Sequence, residues 1–330
     1  MELSARIVEL PLRYPFRISR GVTRVQPTVI ATLDDGECAG VGEACPSSYY
    51  GVTAQSILSE LHQVAARGVA DHWSCPHDLY EQLVKFGVSS FARCAVDTAA
   101  WDLYAKRMRR PLLDLFGLHL AAAPPSDYTI GIDTPEMMRR KAAEYADWPA
   151  LKVKVGGPRD LEGLRAIREV TAARFRVDAN GGWTLQTARR LLPELWSLNV
   201  ELIEQPLPPR RRDDQRTLFE ESPLPLFADE SCVGEHDVAG CVGLFHGVNI
   251  KLVKCGGLTP ARRMMAEARR RGLKLMIGCM TESSVGCAAA ASLAPLVDYV
   301  DLDGPLLIAK DVGRPLQYRR GRISLEGCRT

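Results

Sequence analysis

The hydrophobic pattern of this chain changes near residue 120. Before that point, short alternating runs at 7–12, 28–33 and 40–43 read as β-strands, and Asp34-Asp35-Gly36 between two of them is a hairpin turn signal. Three stretches with helical spacing follow, at 54–66, 76–85 and 90–107. In the last, Ala95, Ala99, Leu103 and Ala105 fall near helical spacing with Trp101. Strands followed by helices predict an α+β domain. The small-residue and proline segment Ala121-Ala122-Ala123-Pro124-Pro125-Ser126 reads as a linker.

Beyond the linker, apolar runs alternate with helical stretches. Strands are predicted at 128–132 and 151–155, in a run ending at Asp178, at 200–204, in a run ending at Asp229, and at 248–250, 273–277 and 299–302. Helices are predicted from Pro135, over 161–173, from Leu185, from Pro260 and over 285–293. No eighth helix of ordinary length follows Gly304, and residues 323–325 read as a strand returning to the first domain. The fold class is therefore α/β: a modified (β/α)7β TIM-type barrel over 121–310. An N-terminal α+β capping domain covers 1–120, completed by about 311–330. The repeat is structural; no internal sequence duplication accompanies it.

Composition narrows the setting. Hydrophobic residues make up 46% of the 330 and charged residues 25%, enough for a substantial buried core. Basic residues number 42 and acidic ones 40, so no bulk positive charge exists to neutralise phosphates, and no nucleic-acid partner is expected. The cluster Arg210-Arg211-Arg212 reads as a solvated loop or helix start. No apolar stretch reaches the roughly 18–20 residues that span a bilayer, and Met1-Glu2-Leu3-Ser4 does not open like a signal peptide. The ten cysteines contain no C-x-x-C pair, and Cys45, Cys94, Cys241, Cys255, Cys279 and Cys287 lie among small or apolar residues. Reduced thiols in a cytoplasmic protein are expected. Homo-oligomerisation is left open by the sequence.

The chemistry lies in charged residues at the strand ends. Lys154, Asp178, Glu204, Asp229 and Lys251 each sit in or close a short apolar run, in the order base, three carboxylates, base. In a β/α barrel such positions converge over the mouth. One acid alone would read as a helix cap. Three in register, in the contexts Val177-Asp178-Ala179-Asn180, Ile203-Glu204-Gln205-Pro206 and Ala228-Asp229-Glu230-Ser231, suit a hard divalent cation such as Mg2+ and leave coordination positions for substrate. Asn180, Gln205 and Glu230 are expected to orient those ligands.

Lys152 and Lys154 alternate with Leu151, Val153 and Val155, so both lysines point into the barrel. Neighbouring charge and a metal are expected to lower a lysine pKa, leaving one neutral amine as a base. Lys251 ends the sixth strand, across the mouth from the second; Lys254, three residues on, is read as leaving the strand. Bases on opposite faces of one carbon can remove a proton from one side and return it from the other. A proton α to a carboxylate is very weakly acidic, and a Lewis-acidic cation stabilises the resulting enediolate.

These residues resemble the enolase superfamily, in its muconate-lactonizing-enzyme subgroup, over essentially the whole chain. The resemblance rests on Lys152-Val153-Lys154, the three acidic strand ends and the run Asn249-Ile250-Lys251-Leu252-Val253-Lys254-Cys255-Gly256-Gly257. It implies one Mg2+ per subunit held by Asp178, Glu204 and Asp229, with Lys154 and Lys251 as the two bases. It also implies that Lys152 holds a substrate carboxylate oxygen and depresses the pKa of Lys154. Asp301 and Asp303, alternating on the eighth strand, resemble the dipeptide epimerase signature, in which two acids bind the free α-ammonium of a dipeptide. The expected activity is epimerisation at Cα of a dipeptide's C-terminal residue, first of all L-Ala-D/L-Glu, as in murein peptide recycling.

Within the capping domain, residues 15–24 look like the loop that closes over substrate, from which Arg24 or Arg20 would pair with a glutamate side chain. Ser47, Tyr49 and Tyr50 form a second capping loop, and Glu282, near the end of strand seven, is a further candidate. N-acylamino acid racemases, o-succinylbenzoate synthases and cycloisomerases share the two bases and three acids, so they remain alternatives that only the Asp301/Asp303 pair disfavours. Two readings lie outside the subgroup: a Schiff-base lysine lyase and a non-catalytic barrel that binds metal and peptide. A binder needs no paired bases.

Overall fold

The computed structural model describes residues 1–326. Glu2–Ile18 (β1) and Gly21–Asp34 (β2) pair antiparallel, and Ala39–Ala44 (β3) pairs with β2. The first two strands are longer than their alternation indicates, and residues 15–24 form a hairpin tip rather than a loose loop. Pro11 and Pro15 hide this in the sequence. Both sit on an edge strand, where a missing N–H costs the ladder little, and the register slips between Pro11 and Phe16. The turn before β3 follows its signal, with Gly36 at φ 90° and its N–H donating to Asp34 Oδ1.

Ala54–Ala66 (α1), Pro76–Lys85 (α2) and Ser90–Arg107 (α3) cover this sheet. Thr53 and Ser56 cap α1 reciprocally. The small face of α3, with Ala95 and Ala99 fully buried, lies against β3, where a Cβ at Gly42 would overlap the Ala95 carbonyl.

Eight parallel strands follow in consecutive order: Tyr128–Ile130 (β4), Ala150–Lys154 (β5), Arg174–Asp178 (β6), Val200–Glu204 (β7), Leu226–Ala228 (β8), Gly247–Lys251 (β9), Lys274–Gly278 (β10) and Tyr299–Asp301 (β11). A parallel bridge between Ser126 and Val300 brings the two ends of the sheet together. Leu151, Val153, Phe175 and Val177 are fully buried in the main core, which includes the surrounding helices. Leu202, Phe227 and Met276 form a separate cluster with Tyr299, a packed floor inside the barrel. Arg176 crosses that floor, donating to Asp127 Oδ2 at 2.9 Å and Glu201 Oε2 at 3.0 Å. Two positions beyond Arg176, Leu202, Phe227 and Tyr299 on the same strand faces stand Asp178, Glu204, Asp229 and Asp301.

The unit after β8 has only the short 3-10 turns Glu235–Asp237 and Ala239–Cys241. The chain after β11 has only the single turn Gly304–Leu307. The barrel is therefore not a symmetric set of eight β/α units, as expected. Ile323 does lie in a strand, Arg322–Ser324 (β13), but its partner is Gln317–Arg319 (β12), not the first domain's sheet. That hairpin sits on the barrel: Tyr318 donates to the Leu302 carbonyl at 2.6 Å and stacks near Trp148. The link back to β1 is made earlier, by Ile308 and Ala309 at Leu12 and Pro11. Residues 327–330 of the segment expected to complete the cap lie outside the described residues.

Two buried acids join the cap to the barrel. Glu43 of β3 accepts from Ser283 N at 3.0 Å, Ser283 Oγ at 2.5 Å and Gly286 N at 2.8 Å, capping the helix Ser284–Ala291. Asp97 of α3 accepts from Thr259 N at 2.9 Å and Thr259 Oγ1 at 2.6 Å at the start of the helix Leu258–Arg270. Among the described residues no helix is long and apolar enough to cross a membrane, and all nine cysteines are free.

Candidate active site

The mouth of the barrel and the cap enclose a cavity of about 640 Å3, within the range of small-molecule sites. Lys152, Lys154, Asp229, Lys251, Asp301 and Asp303 line it from the barrel, and Arg20 and Tyr50 from the cap. Asp178 and Glu204 lie fully buried beneath it.

Carboxylate oxygens of Asp178, Glu204 and Asp229 come within 4.8 Å of one another. Their supports are specific. Asp178 Oδ1 accepts from Asn180 N at 2.8 Å, and Glu204 Oε1 accepts from Asn249 Nδ2 at 2.8 Å. Asp229 Oδ1 accepts from Lys254 Nζ at 2.5 Å, while the Asp229 N–H donates to Gln205 Oε1. Asn180 and Gln205, just beyond Asp178 and Glu204, hold left-handed backbone, φ 47° and 36°. Glu204 Oε2 is a buried acceptor with no hydrogen bond, though Lys152 Nζ lies 2.8 Å away. Three acids with a spare buried oxygen fit a hard cation.

Asn249 was not singled out by sequence, although its position two residues before Lys251 on one strand face is the signal that finds it. Lys254 also has a place in the site. It is buried and bonds the Asp229 carboxylate, the Asp229 carbonyl and the Cys232 carbonyl, and it does not line the cavity. Lys251 does, with Nζ 2.9 Å from Asp229 Oδ2.

The lysines are clamped among acids. Lys154 Nζ donates to Asp178 Oδ2 at 2.6 Å. Lys152 Nζ lies 2.6 Å from Asp301 Oδ2 and 3.2 Å from Asp178 Oδ2. Burial alone would lower the pKa of Lys152 and Lys251, but the surrounding carboxylates outweigh it and hold both above the ordinary lysine value. The depression expected from sequence requires a cation that takes up the charge of these carboxylates. Burial raises Asp178, yet Lys154 and Lys152 outweigh it and hold it at about 2. Glu204 is pushed up to about 7 by burial and by Asp178. Asp303 is raised to about 7 by burial and by Asp301, and it accepts from Thr129 N at 2.5 Å.

The other expected residues fall in different places. Arg20, at the hairpin tip, faces the cavity and donates through Nη1 to Glu230 Oε1 and to the Asn180 carbonyl, each at 2.7 Å. Arg24 is exposed and outside the lining; Thr23 and Val25 line the cavity from that strand instead. Glu282 lies behind the wall. Its Oε1 accepts from Met280 N at 2.9 Å and its other oxygen faces Gly286, beside Glu43. Strand β10 ends at Gly278, so by residue 282 the chain has turned away from the mouth.

An eight-stranded parallel barrel with an acidic triad between two buried lysines defines a class of enzymes that abstract protons next to carboxylates. The chain belongs to the enolase superfamily. Residues 1–117 match the family described as mandelate racemase / muconate lactonizing enzyme, N-terminal domain, and residues 136–327 match the enolase C-terminal domain-like family. The chain is 40% identical to an L-Ala-D/L-amino acid epimerase of Flavobacterium johnsoniae, over 98% of this chain and 96% of the relative. An enolase family member from Agrobacterium tumefaciens, solved with sodium and L-Ala-L-Glu, superimposes with a TM-score of 0.89 at 36% identity, covering 97% of this chain and 96% of that one. A dipeptide epimerase from Enterococcus faecalis, solved with Mg and L-Leu-L-Tyr, does so with a TM-score of 0.90 at 28% identity, covering 98% and 95%.

Proposed function

We propose that this protein is a Mg2+-dependent dipeptide epimerase, with one Mg2+ per subunit. It inverts Cα of the C-terminal residue of L-Ala-X dipeptides, L-Ala-D/L-Glu among them, in cytoplasmic recycling of cell-wall peptides. One observation carries the reading. Lys154 ends β5 and Lys251 ends β9, which are the second and sixth strands of an eight-strand ring, so the two ammonium groups enter one cavity from opposite sides.

The chain's residues divide the work. Asp301 and Asp303 offer negative charge to the dipeptide's free α-ammonium. Lys152, beneath the mouth, offers hydrogen bonds to the carboxylate of the residue being inverted. That places Cα between Lys154 and Lys251. The neutral lysine takes the proton from one face, and the protonated one returns a proton to the other. Asp178, Glu204 and Asp229 would hold the cation, with Asn249, Lys254 and Asn180 fixing their oxygens. When bound, a divalent cation supplies the positive charge that lets the substrate carboxylate accept a second negative charge.

The test is turnover in D2O. Wild type should incorporate deuterium at Cα of the C-terminal residue while interconverting both epimers. Lys154→Ala and Lys251→Ala should each lose epimerisation by roughly a hundredfold or more, with exchange of one epimer persisting in one variant. Near-wild-type epimerisation in either variant refutes the two-base assignment. Exchange on N-succinyl amino acids with none on any free-amine dipeptide refutes the role of Asp301 and Asp303.

A further inference from the structure

The walls of the cavity differ in charge. On the barrel side the lining carries Lys152, Lys154, Asp229, Glu230, Lys251, Asp301 and Asp303. On the cap side, among the described residues, Arg20 is the sole charged group in the lining. The rest of that wall is uncharged: Phe16, Ile18, Val22, Val25 and Tyr50 alternate with polar groups such as Thr23, Gln26, Ser47 and Ser48, and Met280 adds to it from the barrel.

Arg20 is already engaged. Its Nη1 bonds Glu230 and the Asn180 carbonyl, and its guanidinium lies 4.3 Å from the centre of the Tyr49 ring. The adjacent Ser19 Oγ donates to the Ala179 carbonyl at 3.2 Å, and the Ile132 N–H donates to the Arg17 carbonyl at 2.8 Å. These contacts fasten the hairpin tip across loops that follow three different barrel strands. The Glu230 side chain is only 2% exposed. Drawing Arg20 away would leave a buried carboxylate without its cation, and sharing Arg20 would bring a second carboxylate beside the first.

The remaining question is where the substrate's side chain goes. In the dipeptide reading, on which this step rests, the ammonium and carboxylate both face the barrel and the lysines flank Cα. The side chain of the residue being inverted is then the substituent left to point at the cap. We propose that this pocket takes an uncharged side chain, aliphatic or aromatic, at least as well as it takes glutamate. Arg20 is a positioning residue that latches the hairpin to the barrel, not a ligand of the substrate side chain. The apolar residues of this wall gain from every methylene they cover, whereas a carboxylate there exchanges water for hydroxyl and amide groups and meets only a cation already paired with Glu230.

The experiment compares kcat/KM for L-Ala-L-Leu, L-Ala-L-Met, L-Ala-L-Phe and L-Ala-L-Glu, with N-succinyl derivatives of the same four amino acids alongside, on wild type and on Arg20→Met. In wild type the best uncharged residue should match or exceed glutamate; glutamate outperforming all three overturns the proposal. In Arg20→Met the leucine and glutamate activities should fall together, agreeing within about fivefold. A loss on glutamate more than about fivefold greater than on leucine makes Arg20 a substrate ligand and overturns the latch. If Arg20→Met does not fold, the wild-type ranking still decides the pocket. Activity confined to the N-succinyl series would sink the free-amine reading instead, and the leucine-to-glutamate ratio within that series would still judge the cap wall.

Discussion

Lys152 Nζ lies 2.6 Å from Asp301 Oδ2, joining the second strand of the barrel to the eighth. The pair is almost completely buried, at 2% and 5% side-chain exposure. The residue assigned to the substrate's carboxylate is thus in contact with a residue assigned to its ammonium. Asp301→Asn removes both the ammonium's partner and one of the acids that hold Lys152. The expected result is a fall in kcat/KM on free-amine dipeptides of at least about 30-fold, the scale of losing one partner of a buried charge pair. Steady-state kinetics on L-Ala-L-Leu checks it, and a loss of under threefold or so would remove Asp301 from the site.

The acidic triad predicts a metal-linked stability. Mg2+ at about 100 times its dissociation constant should add about 2.7 kcal/mol of unfolding free energy. Thermal melts after chelation and after Mg2+ is restored should show the shift, and activity should vanish and return with it. Asp178→Asn should melt without the shift. An Mg2+ response unchanged in that variant would place the ion elsewhere.

Glu282 predicts a dependence on pH at the seam between cap and barrel. Burial, and then the charge of Glu43, push its pKa up to about 8, above the ordinary glutamate value of about 4.3. The folded state therefore binds this proton more tightly than the unfolded chain does. The stability this contributes is fully present below about pH 4.3 and is lost as pH rises through about 8. Glu282→Gln should flatten the decline in melting temperature between about pH 4.3 and about pH 8. Parallel wild-type and variant curves would show that another group titrates there.

Gly257 predicts a backbone defect outside the cavity. Its φ is 119°, and a Cβ would overlap the Asp97 carboxylate that caps the following helix. Gly257→Ala should cost about 2 kcal/mol or more in urea unfolding. Full stability in that variant would mean that the Asp97 cap can move aside.

Much of the barrel chemistry could be read from the chain because a strand alternates strictly. Lys152 and Lys154 between Leu151, Val153 and Val155 can face only inward, and burial of such charge has few structural explanations. The cap was harder to read. Pro11 and Pro15 interrupt the pattern of β1, so the hairpin that sets Arg20 at its tip and turns Arg24 to solvent looked like a loop. Glu282 lies four residues beyond Gly278, where strand register no longer applies. Lys254 looked like a departing residue because its role depends on a short helical turn, Leu252–Cys255, which folds it back under Asp229. The lysine pKa values depend on how many acids share one small volume and on what charge those acids hold, which spacing along a chain does not report.

Glu43 and Asp97 carry a consequence for redesign. Each belongs to the cap, yet each terminates a helix of the barrel. A chimera that borrows the cap of a relative to acquire a new side-chain preference must bring both acids in register with Ser283 and Thr259. Without them, the N–H groups of Ser283, Gly286 and Thr259 lose their acceptors at the starts of two barrel helices. Transplanting only the hairpin tip and the 47–50 loop leaves both junctions untouched, so the smaller graft is the more promising route to a new specificity.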